Sequence, residues 1–299
     1  MSPTTRETRF AFGRNWQSFL QSLDEDRIQT ATASLAAMLD RTDLRGVRFL
    51  DAGCGSGLFS LAARRLGATV VSFDLDPDSV ACTRELQRRF AAADADWEVH
   101  HGSALDQAFL AHLGRFDVVY SWGVLHHTGE LWRALDMILR PLNPGGQLFL
   151  AIYNDQGAWS SRWRTLKRLY CTNPLWRILI AGTVIPYWIA RDLAADVVWG
   201  RNPLRRYTRY RSDRGMSVWH DWIDWLGGYP FEVAKPEQVI DFYLARGLAL
   251  ARLRTAGGSV GCNEFVFRRP PRSTGSPKTR AGIVSRPFQH RAAGPENES

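Results

Sequence analysis

Residues 47–57 read VRFLDAGCGSG: an apolar run breaks into an acid and then places a glycine at every second position, Gly53, Gly55 and Gly57. Such a run is a buried strand, and the close-set glycines after it make a tight loop whose backbone a ligand can approach. The following LFSLAARRLG (58–67) supplies a helix N-terminus behind that loop. Seventeen residues beyond Gly57 a second apolar run, ATVVSFD (68–74), ends on Asp74. A carboxylate at that strand tip can take both hydroxyls of a ribose. Together these parts predict a pocket for a nucleoside-containing ligand.

The register of the glycines narrows the ligand. Dinucleotide sites use G-x-G-x-x-G with a helix dipole aimed at a pyrophosphate. Here the pattern is D-x-G-x-G-x-G, and Asp51 at the strand end would repel a pyrophosphate while suiting a cationic amino-acid group. The pattern resembles motif I of the class I S-adenosylmethionine (SAM) dependent methyltransferases. The similarity continues downstream: EVHHGSALD (98–106) is similar to the third strand and its adenine-contacting turn, FDVVYSWGVLHH (116–127) to the fourth strand and its loop, and PGGQLFLAIYN (144–154) to the fifth.

That resemblance implies an α/β fold, a Rossmann-like doubly wound sheet of seven mainly parallel strands with a helical insertion before a terminal antiparallel hairpin. It implies SAM as the cofactor. By position, Asp51, Gly53, Gly55 and Gly57 would surround its methionine part, and Asp74 would bind the ribose hydroxyls. Leu75 would flank the adenine, Ser103 and Ala104 would meet its edge, and Trp122 would line the pocket through its backbone. Within the class, the chain is similar to the polyprenyl-phenol (ubiquinone-pathway) O-methyltransferase-like group. The loop after the fourth strand there reads E-x-x-E-H, whereas here Gly123 and His126 take the acidic positions and His127 alone agrees. No metal is therefore expected in the site.

Four divisions follow along the chain. Residues 1–154 hold an entry segment and the cofactor core, 155–230 an insertion, 231–269 a closing helix and hairpin, and 270–299 a basic tail rich in Pro, Ser and Arg that reads as disordered. In the entry segment, FAFGRNW (10–16) places Asn15 and Trp16 either over the cofactor or, with Phe10 and Phe12, against the sheet edge. The helix at 235–247 has Pro236 suited to its first turn and Gly247 to its end, and LALARLRTA and CNEFVFRR follow as strands. Cys54, Cys82, Cys171 and Cys262 show no metal spacing, and Cys54 fits the glycine loop as a small residue. Reduced thiols, and an N-terminus without an apolar signal core, predict a cytoplasmic protein.

The net charge of +8 is unevenly spread. Residues 155–230 carry twelve Arg or Lys against six Asp or Glu, together with eight of the twelve tryptophans. Within them, Ile178–Ala190 is thirteen uncharged residues containing Pro186, short of the ~20 that a spanning helix requires. Three readings stay open for 174–211: a helical subdomain packed on the core, a peripheral contact with the inner face of a membrane, or a nucleic-acid contact, the last being disfavoured because nothing matches an RNA-binding module.

Transfer of a methyl group to oxygen or nitrogen requires removal of the acceptor's proton. The ends of strands four and five open beside the cofactor, so GVLHHTG (123–129) and IYND (152–155) supply the candidates. His127 is the first choice as base, followed by His126, with Tyr153, Asn154 and Asp155 beside them. Either histidine taken singly could instead hold the loop by hydrogen bonds to backbone. Tyr229 and Glu232 rank third, for acceptor contact, and His100 and His101 read as structural. The favoured function is O-methylation of a small aromatic or apolar acceptor under the Trp-rich insertion. A nucleic-acid or protein methyltransferase, and a SAM-binding protein without turnover, are the alternatives. The oligomeric state is not legible.

Overall fold

The computed structural model describes residues 12–13, 16, 20, 23–92, 95–200, 202, 218–258 and 261–272. Asn15, most of the basic run 201–211 and the tail from 273 onward lie outside the described residues.

Helix α1 (Glu25–Leu39) leads into β1 (Arg48–Ala52), α2 (Leu58–Arg65), β2 (Thr69–Asp74), α3 (Pro77–Phe90), β3 (Trp97–His101), α4 (Gln107–Leu113) and β4 (Phe116–Trp122). A short 3-10 turn, Leu125–His127, precedes α5 (Leu131–Met137) and β5 (Leu142–Tyr153). Then come α6 (Ala158–Thr172), α7 (Pro174–Val198), α8 (Val218–Gly227), α9 (Pro236–Leu244), β6 (Ala249–Arg254) and β7 (Cys262–Arg268).

The seven strands form one sheet in the order β3-β2-β1-β4-β5-β7-β6. All pairs are parallel except those of β7, which runs antiparallel to both β5 and β6. This is the seven-stranded α/β sheet that the motif order implies. Its strand order reverses between β1 and β4, and in such sheets ligands sit at the carboxyl ends beside the reversal. The strands read as near-continuous apolar runs because both faces are covered. One face packs Leu50, Phe73, Val119 and Leu150 under α5 and α9; the other packs Phe49, Val70, Val118 and Tyr120 under α1 and α2. Phe265 and Phe267 of β7 are fully buried, so the last strand completes the core.

Local chemistry sets the helix starts. Asp24, Asp76 and Asp106 accept backbone N–H bonds at the N-termini of α1, α3 and α4. Gly57, at φ +79°, opens α2 in a conformation that a β-carbon disfavours.

The insertion leaves and rejoins the sheet at one point. Ala234 N–H donates to the Tyr153 carbonyl (3.0 Å) and Asp155 N–H to the Ala234 carbonyl (3.3 Å), closing a bridge between Asn154 and Ala234. Inside it, Tyr170, Ile180, Ile185, Trp188 and Leu226 make a separate small core joined by Trp163, Trp222 and Trp225.

Helix α7 departs from the sequence expectation. The apolar stretch is not a thirteen-residue piece but part of one 25-residue helix, long and apolar enough by length and composition to cross a membrane. Pro186 removes one N–H from the ladder without ending the helix. Nor does the helix bury itself as a core element: only 11% of its most apolar window is buried.

Candidate active site

The glycine loop is built by what each glycine meets. Gly53, Gly55 and Gly57 all have positive φ (+83°, +53° and +79°). A β-carbon on Gly53 would run into both γ-methyls of Val124 in the loop after β4. One on Gly55 would stand 3.1 Å from the indole nitrogen of Trp16, and one on Gly57 2.9 Å from Thr83. The glycines thus let three separate elements close on the loop.

Asp74 holds the loop from the side. Its carboxylate accepts from Gly55 N–H (3.0 Å) and Asp76 N–H (2.9 Å). Burial pushes it up to about 6, against the pull of those two N–H bonds. Asp51 lies deeper and accepts from the Ser60 hydroxyl at 2.5 Å, which in turn shares a bond with Ser72. Burial pushes Asp51 up to about 7, Ser60 opposing and the charge of Asp74 adding.

On the β2–β3 side, Gly102 N–H donates to the Asp74 carbonyl, and the site of its missing β-carbon is filled by the ring of Phe109. Ser103 Oγ accepts from Leu105 N–H (3.1 Å), Ala104 is buried, and Leu75 is 45% exposed. His101 Nε2 bonds the Leu75 carbonyl (2.9 Å) and His100 pairs with Glu98. Trp122, at the end of β4, turns its indole N–H to Glu264 on β7 (3.0 Å).

Residues that the sequence left ambiguous cover this pocket. Phe12, Gly13, Trp16 and Leu20 are helical. Gly13 N–H donates to Asp76 (2.8 Å), Trp16 sits against Gly55, and Phe12 packs 5.1 Å from the ring of His127. Trp16 lies beside the glycine loop and also packs on the core of the sheet, so the two placements open for it are not exclusive. Gly13 was missed, because nothing around it marks a glycine that must pass Asp78 and Ser79 at backbone contact.

His126, His127 and Tyr153 come together at the ends of β4 and β5. Tyr153 lies 3.9 Å from His126 and 5.5 Å from His127, ring centre to ring centre. The two histidines are held as opposite tautomers. Nδ1 of His127 is 2.6 Å from the Pro230 carbonyl, which can only accept, so Nδ1 carries the proton and Nε2 the lone pair. Nδ1 of His126 receives the Tyr153 N–H (3.3 Å), so its neutral ring is protonated at Nε2. Burial, then repulsion from His127 when that ring is protonated and from Lys167, holds His126 well below the usual imidazole range. Glu232, a third-rank candidate for acceptor contact, caps α5: both its carboxylate oxygens lie 3.1 Å from Leu131 N–H, and burial raises it. Asn154 and Asp155 are occupied with Asn263 Nδ2 and Gly157 N–H.

A shallow cleft with room for about one water opens beside Tyr153, lined among others by Ser160, Trp163, Trp225 and Phe231. Among the described residues no three His, Cys, Asp or Glu side chains gather as a metal site.

A parallel sheet with a terminal antiparallel strand, reversing beside a D-x-G-x-G-x-G loop, defines a methyltransferase of the Rossmann-like class. The profile of a methyltransferase domain matches residues 23–197, and the chain belongs to that family. Ubiquinone biosynthesis O-methyltransferase of Xanthomonas oryzae pv. oryzae is 36% identical over 114 residues, 38% of this chain and 46% of that protein. The protein of the same name from Xanthomonas axonopodis pv. citri is 31% identical over 138 residues, 46% of this chain and 53% of its own length. The chain thus spans about half the length of the curated relatives it matches. An O-methyltransferase family protein from Burkholderia thailandensis shares the fold at a TM-score of 0.51 and 14% identity, over 82% of this chain and 56% of that one.

Proposed function

We propose that this protein transfers the methyl group of SAM to a hydroxyl of a small aromatic or apolar acceptor. The observation that carries the reading is the junction of the glycine cradle with the His126–His127–Tyr153 cluster. Val124, packed on Gly53, leads directly into the turn that presents both histidines.

The residues present fit the cofactor. Three glycines clear the backbone, Asp74 stands at the strand tip with lone pairs beyond the two N–H bonds it accepts, and Asp51 sets a carboxyl, pushed up to about 7 by burial, where a pyrophosphate would otherwise lie. Bound there, SAM supplies an activated methyl on a sulfonium. Asp74 binds the ribose hydroxyls, Leu75, Ser103 and Ala104 border the adenine, and Trp122 contributes its backbone. Asp51 with Gly53, Gly55 and Gly57 surrounds the amino-acid end. His127 receives the acceptor's proton at Nε2, while His126, neutral and buried, braces the ring of Tyr153 from behind. Trp16 and Phe12 exclude water over the top.

The division into core (1–154), insertion (155–230), closing elements (231–269) and tail (270–299) then assigns binding of cofactor to the first and of acceptor to the second. The outer faces of α7 support a cytoplasmic protein that docks peripherally on the inner face of a membrane through 174–211. Ile180, Ile185 and Trp188 face α6 and α8, yet Leu175, Ile178, Leu179, Tyr187, Leu193 and Val197 are exposed on a helix that also carries Arg177 and Arg191. A helix apolar on nearly every side is covered by something. Interfacial aromatics with flanking arginines suit an anionic headgroup layer.

The test is methyl-labelled SAM with a host-cell extract, separated into organic, aqueous, protein and RNA fractions. Label in the organic fraction is expected. Label in RNA or protein overturns the acceptor class, and bound SAM without any transfer overturns the enzyme.

A further inference from the structure

A row of four buried side chains leads from the glycine loop across three strands. Asp51 of β1 and Ser72 of β2 are partners in register, Trp97 lies on β3, and Ser60 reaches them from α2. The Trp97 indole N–H donates to Ser72 Oγ (2.9 Å), which lies 2.7 Å from Ser60 Oγ, and the Ser60 hydroxyl donates to Asp51 Oδ2 (2.5 Å). The direction of the row is set from its far end. An indole N–H can only donate, so the Ser72 oxygen accepts there and its own proton goes to Ser60. Ser60 in turn sends its proton to Asp51. Every bond thus points the positive end of its dipole toward the carboxyl. Apolar side chains of the same shape would fill these positions at little cost, so packing alone does not call for hydroxyls.

We propose that Trp97, Ser72 and Ser60 form a one-way relay of hydrogen bonds that presents the Asp51 carboxylate to the ammonium group of the cofactor. The two serines are then positioning residues, acting on the cofactor through Asp51. The proposal rests on the placement of Asp51 at the amino-acid end of SAM and deepens it. Hydrogen bonds to an ionised carboxyl favour that form, and each bond in a chain strengthens the next. Burial works the other way on Asp51, and the Ser60 hydroxyl is the largest force opposing it. The titratable groups around Asp51 are Asp74 on β2, Cys54 in the glycine loop and Tyr120, its partner in register on β4.

The test measures binding of S-adenosylhomocysteine and 5′-methylthioadenosine to the full chain by calorimetry across the titration of Asp51. The first carries the amino-acid end and the second lacks it. The ratio of their affinities therefore reports on the Asp51 end and cancels the adenosine pocket, Asp74 included. In the unaltered protein the ratio should rise with pH through a midpoint at about 7. Ser60→Ala should move that midpoint up by about one pH unit, and Ser72→Ala by about half as much. Trp97→Phe keeps both hydroxyls but frees their direction, and should move it least, in the same sense. At pH 7 the ratio should fall about five-fold in Ser60→Ala. An unmoved midpoint in either alanine variant overturns the relay, because serines that only pack would change stability and leave the midpoint alone. Ser72→Ala keeps the bond from Ser60 to Asp51, so it carries the test if Ser60→Ala does not fold. A ratio independent of pH in the unaltered protein overturns the proposal without any variant. Methylthioadenosine that does not bind at all overturns the cofactor reading itself, so the two failures are told apart.

Discussion

Nδ1 of His127 bonds the carbonyl oxygen of Pro230, a residue 103 positions further along the chain, at 2.6 Å. This one contact ties the loop after β4 to the segment that returns from the insertion, and it fixes which ring nitrogen can accept a proton. His127→Ala should therefore lower kcat by about 10²–10⁴-fold, the usual worth of a positioned base. SAM affinity should change little, which separates the role from collapse of the loop. Steady-state kinetics on the acceptor found in the organic fraction, with calorimetry for SAM, makes the comparison.

Asp74→Ala should weaken SAM binding by roughly 1.5–3 kcal/mol for each charged hydrogen bond lost to the ribose. Its backbone partners, Gly55 and Asp76 N–H, lose their acceptor too, so a fall in thermal stability should accompany the loss. Equal affinity in a folded variant removes Asp74 from the ribose site.

The two carboxyls behind the loop give a pH signature. Burial raises Asp51 to about 7 and Asp74 to about 6, both above their value of 3.8 in an unfolded chain. Between pH 4 and 7 the folded state therefore holds more protons than the unfolded one, and these groups' contribution to stability falls as pH rises through that window. Asp51→Asn keeps an acceptor for the Ser60 hydroxyl but cannot ionise. It should melt higher than the parent at pH 8, with the gap narrowing by pH 5. The cationic cofactor has the opposite preference: SAM should bind more tightly at pH 8 than at pH 5.5, and less so in the variant. Melting curves and calorimetry at the two pH values read both effects.

Gly53→Ala meets two penalties, a φ of +83° and the γ-methyls of Val124. A loss of about 1–3 kcal/mol is expected from overpacking alone. Val124→Ala in the same chain should recover part of it, since the φ penalty stays. A double-mutant cycle by chemical denaturation checks the coupling.

The exposed face of α7 should hold the protein on vesicles containing anionic phospholipid. Ile178 and Val197 are each 69% exposed, and changing both to Asn should cut co-sedimentation several-fold without altering SAM binding. An unaltered protein that stays in the supernatant defeats the membrane contact.

The cofactor half of this molecule was readable because its chemistry is local. Strand, glycines, helix and the acid at the second strand's tip fall within residues 47–74, and backbone conformation dictates most of these residue types. The insertion was opaque for the opposite reason. Lys167 looks like any surface cation in an Arg-rich helix; only the return of α8, bringing Trp225 from 58 residues away, buries it. Pro186 and two arginines made α7 read as a short interrupted stretch, although one missing N–H is a tolerable loss in a long helix. The capping of α5 by Glu232 was not readable, because it joins residues far apart along the chain. Trp16 was legible as an alternative only: its sequence neighbours say aromatic cap, and the choice of cap depends on Gly55 lying beneath it.

The bridge between Asn154 and Ala234 brings the two ends of the insertion together at one edge of the sheet. The sheet is sealed by β7 against β5 whether or not that segment is long. Lengthening or exchanging a segment whose ends already meet adds little closure entropy, since the cost grows only with the logarithm of loop length. The architecture therefore behaves as a socket. Exchanging residues 158–227 alone, with Pro230 left on His127 and Glu232 on Leu131, is expected to change the acceptor while binding of SAM persists.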